Sequence, residues 1–284
     1  MTTQIQRMDL SNFESVKPNI PINLLFIHHS CGATLMAASG EKAGEYCLWE
    51  THPNGGGLRK KLLANNYIVH EATYSSIVGQ DTDINHWHSK FQKQMNLILK
   101  TRLQDETLED GQVNQIVVFK SCYPNNGFTN TGSSPGDPDS SEKTVWNAKA
   151  AYNSLLPIFK KHSDTLFIAV TAPPMVKPWV NRYKEILLNI IGKGPEKIGE
   201  RARSFNNWLV DAKSGWLADY KQNNVLVFDL YDILTDNGVS NWAQYSTRNG
   251  KNSHPNSQGN TKAAKQFVEF INQSVRHAGL VDAK

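Results

Sequence analysis

Five short apolar runs, each followed by a longer stretch of polar and helical-period residues, constrain this chain more than any other feature. The runs are Asn23–Ile27, Tyr67–Ala72, Gln115–Phe119, Leu166–Thr171 and Val225–Leu230. Strands with near-continuous apolar character belong to a sheet whose two faces are both covered, because neither face meets water. Segments of helical period near Leu58–Ala64, Trp87–Leu103, Glu142–Lys161, Lys197–Tyr220 and Gly259–His277 supply that cover. The alternation predicts a three-layer α/β/α domain with a five-stranded parallel sheet. A polar stretch, residues 1–21, reads as an N-terminal tail ahead of a single domain over 22–284.

At 284 residues the chain is long enough to bury roughly 75% of its unfolded surface. A formal net charge of +4, spread over interspersed acids and bases, gives no block that calls for nucleic acid or an anionic membrane. No run reaches the ~20 apolar residues of a membrane span, and the first residues lack a basic-then-apolar leader. The chain as given is therefore expected to be cytoplasmic, or secreted or periplasmic if a signal peptide has been removed. Oligomeric state is not legible. Cys31, Cys47 and Cys122 show neither a disulfide framework nor metal-type spacing. No cofactor and no metal are expected. Cys31 and Cys122 follow serines at neighbouring strand ends, within range of approaching one another; buried free thiols are expected, with a disulfide or reactive-thiol role the alternative.

In an open parallel sheet, ligands bind where the loops leave the carboxyl ends of the strands. The first strand runs directly into His28, His29, Ser30, Cys31 and Gly32. The second delivers "TYSSIVGQDTD", the third "KSCYPNNG", and the region after the fifth reaches "KNSHPNSQGN". The long Gly-, Pro- and Ser-rich loop Asn125–Ser141 belongs to the same rim.

A serine directly after the first strand, a loop glycine after the second, an asparagine after the third and a histidine opening the last helix together resemble the SGNH (GDSL-like) hydrolases. The likeness runs from Leu24 to about Phe270, and "SHPNSQGNTKAA" is its most specific block. It implies a flavodoxin-like α/β fold and an esterase. It further implies Ser30 as nucleophile, His254 as general base, and Gly79 and Asn125 as oxyanion donors, with Asn126 the rival of Asn125. The chain departs from the pattern in three places. His28 and His29 replace the Gly-Asp before the serine, no glycine precedes the asparagine, and Lys251 stands where the triad acid belongs. The resemblance thus leaves the partner of His254 open among a backbone carbonyl, Asp83, Asp232 and Asp236.

Elementary chemistry points the same way. A serine hydroxyl needs a base to take its proton, and an imidazole is suited to that near neutral pH. A histidine just ahead of a helix is held neutral by the positive end of the macrodipole. His29 is expected to support the nucleophile turn. Asp81 and Asp83 fit helix capping, with a site-supporting role open for Asp83. His28, His29, His86 and His88 form a weaker metal alternative without a known ligand spacing. The expected substrate is a small-molecule or glycan ester, with an O-acetyl carbohydrate favoured by loop tryptophans and the lack of a long apolar lid. The competing reading is a catalytically weak or silent protein that binds a glycan or acyl ligand.

Overall fold

The computed structural model describes residues 5–282. Seven strands form its main sheet: β1 (Ile22–Ile27), β2 (Tyr67–Ala72), β3 (Thr101–Leu103), β4 (Glu106–Thr107), β5 (Ile116–Lys120), β6 (Leu166–Val170) and β7 (Val225–Phe228). Their order is β4-β3-β2-β1-β5-β6-β7. The five expected strands are all present and parallel. The sheet is larger than expected by β3, parallel to β2, and β4, antiparallel to β3. Both additions are two or three residues long at one edge, too short to leave a periodic signature.

Alternation within each strand sends side chains to two separate cores. Leu25 and Ile27 of β1, Val117 and Phe119 of β5, and Phe167 of β6 meet Trp87, Phe91, Tyr152, Phe159 and Phe205. Those partners come from α3 (Ile84–Lys100), α4 (Val145–Phe159) and α6 (Pro195–Val210). Leu24 and Phe26, Ile116 and Val118, and Leu166, Ile168 and Val170 face Leu58, Phe267, Ile271 and Val275 instead. Here the cover is α2 (Leu58–Ala64), α7 (Leu230–Leu234) and α8 (Ser257–His277), with Leu35 and Met36 of α1 (Ser30–Met36). A further helix, α5 (Arg182–Ile190), lies outside the expected helical segments; it carries no buried residue, and its Ile186, Leu187 and Ile190 are exposed.

Residues 5–21 contain no helix or strand, yet they lie against the domain. Leu10 is buried, Arg7 bridges Asp229 and Asp232, and the Ser15 carbonyl accepts from Asn272. The order β2-β1-β5 reverses chain direction across the sheet at β1, so the loops after β1 and β5 diverge from a switch point. The segments carrying Ser30 and Cys122 flank that point.

Candidate active site

Register brings the site together. Ile27 of β1 pairs with Phe119 of β5, so Ser30 and Cys122 each stand three residues beyond a matched pair. The Ser30 hydroxyl lies 3.7 Å from the Cys122 sulfur. It also lies 2.9 Å from Nε2 of His254, which comes from 224 positions away. His254 sits on β9 (Asn252–Pro255), the second strand of a hairpin with β8 (Ser246–Thr247), just before Asn256 caps α8.

The partner of the imidazole is Asn252. Its Oδ1 accepts from Nδ1 of His254 at 2.7 Å and from the His254 backbone N–H at 3.0 Å. A backbone N–H only donates, so the atom facing it is the amide oxygen. The ring therefore carries its proton on Nδ1 and leaves Nε2 to accept from Ser30. Burial is the largest influence on His254 and lowers its pKa below the ordinary histidine value. The nearby Cys122 opposes this, while Lys120 and Arg248 add to it. The ring is thus a neutral base in the right tautomer. The three acids left open by the sequence are engaged elsewhere. Asp83 accepts from Asn125, Asp232 pairs with Arg7 and Arg203, and Asp236 pairs with Lys262 and Tyr245.

The two groups that the resemblance implies as oxyanion donors are engaged within the protein in this structure. The Gly79 N–H donates to the Ser76 hydroxyl at 2.9 Å, within a turn where Ser76 in turn donates to the Thr73 carbonyl. A Cβ at Gly79 would stand 2.1 Å from that carbonyl, so the glycine serves the tightness of the turn. Asn125 donates its amide hydrogens to Asp83 and to the Cys122 carbonyl, and its oxygen accepts the Ile84 N–H. It fastens the β5 loop to the start of α3. Its rival Asn126 is buried, donates to the Ala172 and Pro173 carbonyls and accepts from Asn206. Asp83 is the N-cap of α3 in a capping box with His86, as its position suggested.

His28 and His29 fasten the turn ahead of Ser30 in different ways. His29 donates from Nε2 to the Gly79 carbonyl at 2.7 Å, so its Nδ1 accepts from Thr82 at 3.0 Å. Its ring stacks on Tyr74 with centroids 3.6 Å apart. Burial, the largest influence, lowers its pKa, consistent with a neutral ring. His28 is fully buried, with Nδ1 3.2 Å from the His29 carbonyl and Nε2 2.9 Å from Glu71. Glu71 also accepts two bonds from Arg59, which reaches on to the Trp49 carbonyl. Burial alone would raise the Glu71 pKa, but the bonds from His28 and Arg59 hold it at about 2. α1 starts so close over His28 that a Cβ at Gly32 would fall 2.4 Å from the His28 Cβ. The glycine of "HHSCG" is there to let the helix approach.

His86 and His88 do not join this pair. His86 caps α3 and His88 pairs with Asp139. Among the described residues no three His, Cys, Asp or Glu side chains are grouped to hold a metal ion. No helix among them is long and apolar enough to cross a membrane.

A cleft of about 610 Å³ opens beside His254, lined by Thr34, Trp49, His52, Asn54, Arg248 and Asn256 among others. Its lining is polar apart from Trp49, whose indole stacks on His52 at 4.6 Å with the planes 14° apart. The remaining tryptophans expected near loops, Trp87, Trp146, Trp179 and Trp242, lie elsewhere: Trp87 is in the core donating to Ser121, Trp146 is on α4 under the Lys149 ammonium, Trp242 is buried, and Trp179 is 91% exposed.

No family model matches the sequence, and no curated protein sequence matches it significantly. Among solved structures, a carbohydrate esterase family 2 enzyme with a carbohydrate binding domain from Corynascus thermopiles (Myceliophthora fergusii) is 12% identical. That match has a TM-score of 0.40 over 91% of this chain and 67% of that one. A family two carbohydrate esterase from Cellvibrio japonicus is 11% identical, with a TM-score of 0.36 over 92% of this chain and 63% of that one. A carbohydrate esterase whose active site is described as having divergent catalytic and non-catalytic binding functions is 15% identical. Its TM-score is 0.36 over 90% of this chain and 70% of that one.

Proposed function

We propose that this protein is a serine esterase that removes a small acyl group from a hydroxyl-rich, carbohydrate-like alcohol. The observation that carries the reading is the 2.9 Å contact between Ser30 Oγ and a His254 whose other nitrogen is already committed to Asn252. In this reading His254 takes the Ser30 proton as the hydroxyl attacks the ester carbonyl, then returns it to the departing alcohol. Water repeats the sequence on the acyl-serine and frees the enzyme. Ser30 is the first residue of α1, so its N–H has no acceptor within the helix and is available to the developing oxyanion. One such donor contributes on the order of 3 kcal/mol.

The cleft supports the alcohol assignment. Hydroxyl, amide and imidazole groups around a single indole suit a polyol, whose ring faces stack on aromatics while its hydroxyls find polar partners. No aliphatic side chain lines this cleft to receive a fatty chain. Turnover of acetylated oligosaccharides and of p-nitrophenyl palmitate by the full chain tests the reading. Acetate release from the first, lost in Ser30→Ala, is expected. Preference for the palmitate, or acetate release that survives Ser30→Ala, overturns it.

A further inference from the structure

The mechanism above leaves two sulfurs unused at its centre. Cys31 immediately follows the nucleophile, and its Sγ lies 3.6 Å from that of Cys122. Cys122 Sγ also touches the Ser30 hydroxyl at 3.7 Å, so Ser30, Cys122 and Cys31 form one continuous contact. The register of β1 against β5 brings the two cysteines to the same rim, four residues beyond Ile27 and three beyond its partner Phe119. Cys31 is buried, whereas Cys122 is only partly so.

We propose that Cys31 and Cys122 are an oxidation site, which a hydroperoxide converts into a disulfide that switches off the Ser30 centre. The effect on activity rests on the esterase reading; formation of the bond does not. The Cys122 thiolate attacks one peroxide oxygen, the O–O bond breaks, and water leaves a sulfenic acid on Cys122. The Cys31 sulfur then attacks the Cys122 sulfur, the S–O bond breaks, and a second water departs. Two thiols and one hydrogen peroxide thus become one disulfide and two waters.

The surroundings favour Cys122 as the attacking sulfur. Its Sγ contacts the Cys31 sulfur at 3.6 Å and the Ser30 oxygen at 3.7 Å, accepts from the Cys31 backbone N–H, and lies within the electrostatic influence of buried Lys120. The contact with the Cys31 side chain is the largest of these influences, and together they hold Cys122 well below the ordinary thiol pKa against the opposing effect of burial. Low-pKa, accessible thiols beside a second cysteine are the ones peroxides oxidise first. Bond formation brings the sulfurs from 3.6 Å to about 2.05 Å, which draws the first turn of α1 toward the β5 loop. Ser30 rides on that turn, and a displacement of about 1 Å at a reacting group costs roughly 100-fold in rate.

The test treats the full chain with hydrogen peroxide and reads three things separately: free thiols after denaturation, disulfide linkage by peptide mapping, and turnover with fluorophosphonate labelling before and after dithiothreitol. Expected are a fall from three thiols to one, a Cys31–Cys122 linkage with Cys47 free, and a loss of at least ten-fold in activity that dithiothreitol restores. Cys47→Ala retains this response. Cys31→Ala, scored against its own reduced activity, shows no loss that dithiothreitol reverses through a disulfide. Three thiols persisting, a linkage through Cys47, or an equal reversible loss in Cys31→Ala overturns the proposal. A mapped disulfide in a chain that never labels with fluorophosphonate refutes the esterase reading and the switching of activity, while the oxidation site itself stands.

Discussion

Replacing Asn252 by aspartate places a charge where the neutral amide now accepts from the imidazole. The distance from Asn252 Oδ1 to His254 Nδ1 is 2.7 Å, which puts the centres of a carboxylate and an imidazolium about 4 Å apart. At an effective dielectric near 20 the attraction is ~4 kcal/mol. Both residues are only partly buried, so solvent screens it to roughly 1–2 kcal/mol. The imidazolium exists only after proton transfer, so this stabilises the transition state more than the resting enzyme and raises kcat by about ten-fold. The charge also favours the protonated ring in the free enzyme. Activity requires the neutral base, so the acid limb of the pH profile, which burial sets below the ordinary histidine value in the native protein, moves upward. The assay is p-nitrophenyl acetate hydrolysis from pH 4.5 to 9.5, with circular dichroism to establish folding. A folded Asn252→Asp protein with an unmoved limb, or with kcat lowered across the range, refutes the assignment of Asn252 as the partner of His254.

Three further outcomes follow from the same geometry. Gly32→Ala forces a methyl against the His28 ring, so it destabilises the fold by about 1–3 kcal/mol and lowers kcat by roughly 100-fold, read by thermal melting and turnover. Glu71 has a depressed folded-state pKa, so its contribution is fully present above its ordinary value of 4.5 and is lost as pH falls toward about 2. Denaturant melts from pH 6 to pH 2 should show on the order of 3 kcal/mol of acid-labile stability that is absent in Glu71→Gln. Trp49→Ala removes the indole from the cleft, so the KM for an acetylated oligosaccharide rises about ten-fold and by more than the KM for p-nitrophenyl acetate.

The central sheet was legible because β1, β5, β6 and β7 are buried on both faces and are therefore apolar at nearly every position, and β2 still opens on the apolar run Tyr67–Val69. The edge strands were not, because a pairing of one or two residues needs no pattern. α1 was hidden by its own content. Its first residues are the reactive "SCG", and its glycine is required by the approach to His28 instead of by a turn. Within the site, Ser30 and His254 stood out by residue type and order. Asn252 did not, because a carboxylate was sought three residues before the histidine and the ring is held by an amide two residues before it. The contact of Cys122 with Ser30 was the other omission. Asparagine was sought in the β5 loop, and Asn125 proved to be tied to Asp83 and the Cys122 carbonyl. Counting equal steps from Ile27 and Phe119 would have put Cys122 against Ser30 directly, given the register of the two strands.

The most direct measurement is intact-mass and peptide analysis of the full chain after reaction with a fluorophosphonate. A single adduct on Ser30 that forms on the native protein and fails to form in His254→Ala is the predicted result. An adduct on another residue, or Ser30 labelling at an unchanged rate without the His254 imidazole, would contradict a nucleophile activated by that base.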